Sequence, residues 1–150
     1  MFEESFGRLA HLIREVASGA RGTPPATITV LSGDVHHTYL TRAWPADGAD
    51  MGSLIYQVVC SPFRHPLGTG QRKAVKAAMT KPATVAARGM ARAARVPAPD
   101  LAWEIVEPPT FDNSMATLTL EGRSAALAVE KPGPDWRNPT LEPVVERRLA

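Results

Sequence analysis

The chain has a single cysteine in 150 residues, so no internal disulfide can form. This excludes the small disulfide-stapled secreted scaffolds and agrees with a reducing compartment. Cys60 itself closes a strand-like apolar run and is read as a buried, unreactive thiol. No apolar run approaches the roughly 20 residues that a membrane-spanning helix requires. The amino terminus, Met1-Phe2-Glu3-Glu4, lacks the basic start and apolar middle of a secretion signal. A cytoplasmic protein with no membrane span is therefore expected. There is no internal repeat and no low-complexity tract. Acidic residues are missing altogether from one long stretch: between Ser61 and Pro99 there are eight Lys or Arg and no Asp or Glu.

What is present is globular in character. Hydrophobic residues make up 44% and charged residues 21% of the chain, which argues against disorder. A chain of this length suits one domain, which on its own would bury roughly 68–70% of its unfolded surface. The net formal charge is only +2. Residues 100–150 carry nine acids against five bases and offset the basic segment.

Phe2, Phe6, Leu9, Ile13 and Val16 recur at spacings of three and four, which predicts one apolar stripe on a helix ending near Gly19. Thr27–Leu31 predicts a strand, Thr38–Trp44 a second and Ser53–Val59 a third, the last two joined through the Pro45–Gly48 turn as a hairpin. Thr69–Met79 and Thr84–Arg95 read as helices separated by Pro82. Leu101–Val106 reads as a strand. Met115–Leu120 and Ser124–Glu130 read as a hairpin around Glu121-Gly122, with Leu118, Leu120, Leu127 and Val129 facing the core. The proline-rich stretch Lys131–Ala150 reads as irregular surface chain.

The chemistry-bearing stretch is Ser32-Gly33-Asp34-Val35-His36-His37-Thr38-Tyr39, directly after the first strand. A carboxylate and two imidazoles lie within four positions on a glycine-hinged turn. Such oxygen and nitrogen ligands suit iron, manganese or zinc. In open α/β sheets, ligand sites lie beyond the carboxyl ends of strands. Alternation along an extended segment would point Asp34 and His36 the same way and His37 the other. An Asp after a strand can equally cap a turn, and paired histidines can simply be half buried.

The strings TVLSGDVHHTYLTRAW (29–44), IYQVVCSPFRHPL (55–67), FDNSMATLTLEGRSAALAVEK (111–131) and NPTLEPVVERRLA (138–150) together resemble the carboxyl-terminal part of PhoD-like alkaline phosphatases. These belong to the calcineurin-like metallophosphoesterase superfamily. The resemblance runs over nearly the whole chain. It implies an α/β fold, an incomplete four-layer α/β/β/α sandwich with a mixed sheet and helices, and a two-metal hydrolytic site. The family's last ligand motif is a Gly-x-x-His turn, usually Gly-His-x-His, and it is matched by Gly33-Asp34-Val35-His36. Through that match His36 and Asp34 would bind metal, whether iron, manganese, zinc or calcium. Asp34 stands where most of the superfamily has histidine, as it does in PhoD-like members.

The earlier motifs of the superfamily, Gly-Asp-x-x-Asp and Gly-Asn-His-Asp/Glu, do not occur. Reading Asp34-Val35-His36 as the first Asp-x-His motif fails too, because the only later text near the required pattern, Asp47-Gly48-Ala49-Asp50, has the wrong order. The chain resembles the last third of a phosphatase, with the amino-terminal half as its missing partner and a phosphoester as substrate.

His37 is a candidate for substrate contact or for orienting a ligand, and Arg64 for a bidentate grip on phosphate. Each has an ordinary alternative, a packed imidazole and an exposed loop arginine. His65 reads as a solvated loop residue and Asp112-Asn113 as turn chemistry. His11 is assigned no function. The basic helices raise a second hypothesis, a non-catalytic remnant or module that binds an anionic partner, since Arg88, Arg92 and Arg95 fall on one stripe. The two helices themselves lack aromatics for stacking bases, which weighs against nucleic acid.

Overall fold

A computed structural model describes residues 2–61 and 67–150, with the side chains of Phe2 and Glu3 outside that description. The chain divides into two compact units, one formed by residues 1–66 and 100–150 and the other by Leu67–Pro99. With three helices and two sheets among the described residues, the architecture is mixed α/β.

The larger unit opens with helix α1, Phe2–Ser18. Strands β1 (Thr27–Ser32), β2 (Thr38–Pro45) and β3 (Leu54–Val59) follow, and β4 (Leu101–Thr110) completes a sheet of order β1-β3-β2-β4. β1 and β3 are parallel, Thr27 opposite Leu54 through Ser32 opposite Val59. β2 is antiparallel to β3, as the sequence predicts. β4 runs past its predicted end, and a register irregularity near Leu40 accommodates it against β2. Strands β5 (Met115–Glu121), β6 (Ser124–Pro132) and β7 (Leu141–Arg148) form a second, antiparallel sheet.

The period-2 alternation of β3 assigns its neighbours. Tyr56 and Val58 join Leu40 and, from the second sheet, Ala125, Leu127 and Val129 in one buried cluster that Leu149 closes. Ile55, one position before Tyr56, faces the other way into a cluster with Ile13 and Ala17 of α1. The larger unit is therefore helix on sheet on sheet. Gly52 secures the helix end: its N–H donates to Ala17 O at 2.8 Å. A Cβ there would stand 2.5 Å from Pro24 Cγ, so only glycine fits without a shift. Arg14 adds an exposed clamp, donating to Asp47 at 2.6 Å and to the Asp100 carbonyl at 3.3 Å.

Several expectations are corrected. The buried face of α1 is Ala10, Ile13 and Ala17, while Phe6 is 60% exposed and Leu9 is also exposed. Phe6 follows the right period, but the 17-residue helix, about 25 Å long, outruns the roughly 20 Å of a six-residue strand. Leu120 is exposed because β5 reaches its turn there; the hairpin itself is as expected, with Gly122 at φ +58°. Residues 141–148 are not irregular but form β7, an edge strand that tolerates Pro143. Cys60 is half-buried, one residue past β3.

The smaller unit is a pair of helices, α2 (Thr69–Ala78) and α3 (Lys81–Ala93), neither with a buried residue. α3 starts three residues before its predicted start, because Pro82 sits in the first turn, where a missing N–H is harmless, behind the cap Thr80. Its end is a Schellman motif: Arg95 N donates to Arg92 O and Val96 N to Ala91 O. Arg95 occupies the left-handed position that this motif requires, at φ +56°.

Candidate functional site

β1 and β2 are not neighbours, because β3 lies between them. The Gly33–His37 turn that joins them must therefore pass over the carboxyl end of β3. Residues of that end, Cys60 and Ser61, hold the turn in place. Cys60 N donates to Ser32 O at 3.1 Å, and His36 N donates to Ser61 Oγ at 3.3 Å. The Thr38 hydroxyl donates to Ser61 O at 3.0 Å and accepts from Ser61 N at 3.2 Å. With its hydrogen so committed, Thr38 Oγ1 accepts from Ser114 Oγ at 2.6 Å, which ties the β4–β5 connection into the same knot.

The turn is not extended. Asp34 and His36 lie in the left-handed region, at φ +67° and +58°, while Gly33 does not. The alternation that would point Asp34 and His36 the same way therefore does not apply. Asp and His enter the left-handed region more readily than most residues, yet each still carries about 1–2 kcal/mol of steric cost there. The Ser61, Thr38 and Ser114 hydrogen bonds offset that cost. Asp34 is exposed and His36 is half-buried.

His37 turns inward and is 8% exposed. Its ring stacks on Tyr39 at 5.2 Å and on Phe111 at 5.9 Å between centroids. Nδ1 lies 2.6 Å from Val35 O. A carbonyl can only accept, so Nδ1 carries the hydrogen. Nε2 is then left buried without a hydrogen-bond partner among the described residues, as is Asn113 Oδ1. Histidines that bind metal commonly fix their second nitrogen on a carbonyl in this way. Here Nε2 is closed off from solvent, and the ring braces the turn from below. The same burial raises the Tyr39 phenol above its ordinary value.

Arg64 and His65 lie outside the described residues. Asp112 stands 3.8 Å from Lys131 across the hairpin it precedes. His11 makes an exposed contact with Glu15 at 3.5 Å on α1. Sequence reasoning missed Thr38, Ser61 and Ser114. A hydroxyl at the first position of a strand is the one local signal that could have found Thr38; the pairing with Ser114, 76 residues away, has none.

Among the described residues no three His, Cys, Asp or Glu side chains converge as a metal-ligand set. Asp34 and His36 can supply two ligands at most, so these residues do not complete a two-metal centre by themselves. Comparison with family models, with curated proteins and with solved structures finds no match to this chain.

Proposed function

We propose that the Gly33–His37 turn is one edge of a metal-dependent phosphoesterase site, and that this chain is the carboxyl-terminal portion of such an enzyme. The observation that carries the reading is the coincidence of strain and chemistry. Among the described residues only three non-glycine positions have positive φ, and two of them are Asp34 and His36. Arg95 has a helix stop to explain it; these two have none. Strained backbone held by a dedicated hydrogen-bond network concentrates at ligand sites. The turn also sits at the carboxyl ends of the parallel pair β1 and β3, where open sheets bind ligands.

In this reading Asp34 and His36 are ligands, His37 is a positioning residue that holds the Val35 carbonyl between them, and Arg64 receives the phosphoryl group. Metal ions bound there would supply charge for the phosphoryl oxygens and acidify an attacking water. The remaining ligands come from residues outside this chain, so the chain alone turns over phosphoesters weakly or not at all.

The sheet edges support a partial sandwich. β4 carries Glu104, Glu107, Pro108 and Pro109, and β7 carries Glu142, Pro143 and Glu146. Charges and prolines of this kind keep exposed edges from pairing. The Glu107–Arg147 ion pair sets those two protected edges side by side. The opposite edges are bare. β1 has no charge and no proline, and β5 has only Glu121 at its end. Leu54 N bonds Ala26 O and Cys60 N bonds Ser32 O, so even positions of β1 face β3. Thr27, Thr29 and Leu31 turn their backbone groups outward. Two unprotected edges on one side are what a sandwich shows where both sheets continue, completing the four-layer α/β/β/α arrangement.

Manganese titration followed by amide NMR tests the assignment. Paramagnetic broadening is expected at residues 33–37 and should vanish in Asp34→Asn and His36→Ala. Broadening confined to other carboxylates, or none, would defeat the reading. Hydrolysis of a chromogenic phosphodiester by the chain alone should stay near background.

A further inference from the structure

The strongest feature outside that site is the helical unit Leu67–Pro99. It holds seven Lys or Arg and no acid, whereas the rest of the chain has ten bases against fifteen acids. At 100° per residue, Lys81, Arg88 and Arg92 share one face of α3. Met90 lies opposite, flanked by Ala86 and Ala87. Met90 is 68% exposed; Val85, 69% exposed, lies beside Arg92 on the cationic face. α2 repeats the arrangement, with Lys73 and Lys76 opposite Ala74 and Ala78. Cations and apolar side chains thus both face solvent on helices that bury nothing within their own unit.

We infer that this helical unit is a peripheral docking surface for an anionic lipid bilayer. Charge complementarity selects a polyanion, because Lys73, Lys81, Arg88, Arg92 and Arg95 have no ion-pair partner among the described residues. Two observations favour lipid over a polynucleotide. Residues 67–99 contain no aromatic residue on which a base could stack. A polynucleotide would also engage the arginine stripe while leaving Met90 in water. A bilayer surface serves both faces, with headgroups meeting the cations and the acyl boundary receiving the apolar side chains. The apolar faces are mostly alanine, so attraction to charge carries most of the binding. The acid-rich remainder is repelled by the same surface, which orients the helices toward it. Among the described residues no helix is long and apolar enough to cross the membrane. This inference stands apart from the phosphoesterase reading and survives its failure.

Vesicle co-sedimentation of the full chain tests it. Binding is expected to phosphatidylcholine vesicles that carry phosphatidylglycerol, to fall with added salt, and to be absent from pure phosphatidylcholine. At about fivefold per cation near a charged surface, Arg88→Gln, Arg92→Gln and Arg95→Gln together should weaken binding about a hundredfold. Lys73→Gln with Lys76→Gln is an independent pair expected to weaken it about twenty-five-fold. Met90→Ser should weaken it several-fold at unchanged charge. Equal binding to both vesicle types, no binding to either, or indifference to both cation sets would overturn the inference. So would binding to a single-stranded oligonucleotide that is tighter than to anionic vesicles and insensitive to Met90→Ser.

Discussion

The sandwich of residues 1–66 and 100–150 and the helical unit of Leu67–Pro99 follow the same local rules and reach opposite ends. In the sandwich, alternation along β3 and β6 sends Tyr56, Val58, Leu127 and Val129 to a shared interior. In the helices the amphipathic period is just as regular, yet neither buries a residue. An apolar stripe is a request for a partner, and only the tertiary arrangement supplies one. The sandwich is held by what it hides. The helices rest on capping, backbone bonding and contacts in which no side chain is fully buried.

The largest expected effect breaks this symmetry directly. Leu127→Ala removes buried methyl groups between the sheets and should lower the stability of the larger unit by about 2–5 kcal/mol in urea unfolding. Met90→Ala should stay within about 0.5 kcal/mol. Comparable losses would refute the distinction between a cored and a coreless unit. Next comes Gly52→Ala, whose Cβ meets the Pro24 ring. A loss of about 1–3 kcal/mol is expected from overpacking, read as a lower unfolding midpoint; an unchanged midpoint would show that the Pro24 ring can move aside.

A smaller effect sharpens the contrast from the other side. Thr80 accepts from Ala83 N at 3.4 Å as the cap of α3. Thr80→Ala should reduce helix stability by about 1 kcal/mol, visible as faster amide exchange in 81–93 while the sandwich midpoint stays put. The smallest effect is electrostatic. The Arg14 guanidinium, aided by the Ala49 N–H, holds the Asp47 carboxyl below its ordinary value. A lowered folded value means that the ionised form stabilises the fold above the unfolded value near pH 4. That contribution fades as pH falls through the folded value. Both groups are solvated, so Asp47→Asn should flatten acid unfolding only slightly.

Much of the candidate site was legible in the residues. Asp34, His36 and His37 follow an apolar strand, and that much needs no coordinates. Their orientation was not legible. It depended on whether the turn stays extended, and the answer lies in β3, which inserts between β1 and β2 and forces the turn to cross Cys60 and Ser61. The hidden role of Ser114 arises in the same way, since a hydroxyl 76 positions from Thr38 has no local signature. β7 was missed because Pro143 and Pro139 read as loop until an edge position makes them tolerable. Phe6 lies on the expected stripe yet stays exposed, because period alone does not say where the sheet ends.

Composition and pattern by themselves determined most of the elements, the β2–β3 and β5–β6 hairpins and the segregation of charge into one acid-free stretch, because these depend on neighbours a few residues apart. The order β1-β3-β2-β4, the left-handed backbone at Asp34 and His36, and the choice of which apolar stripe is covered were decided only in three dimensions. Each depends on a contact between residues far apart in the chain, and no local preference is strong enough to specify it.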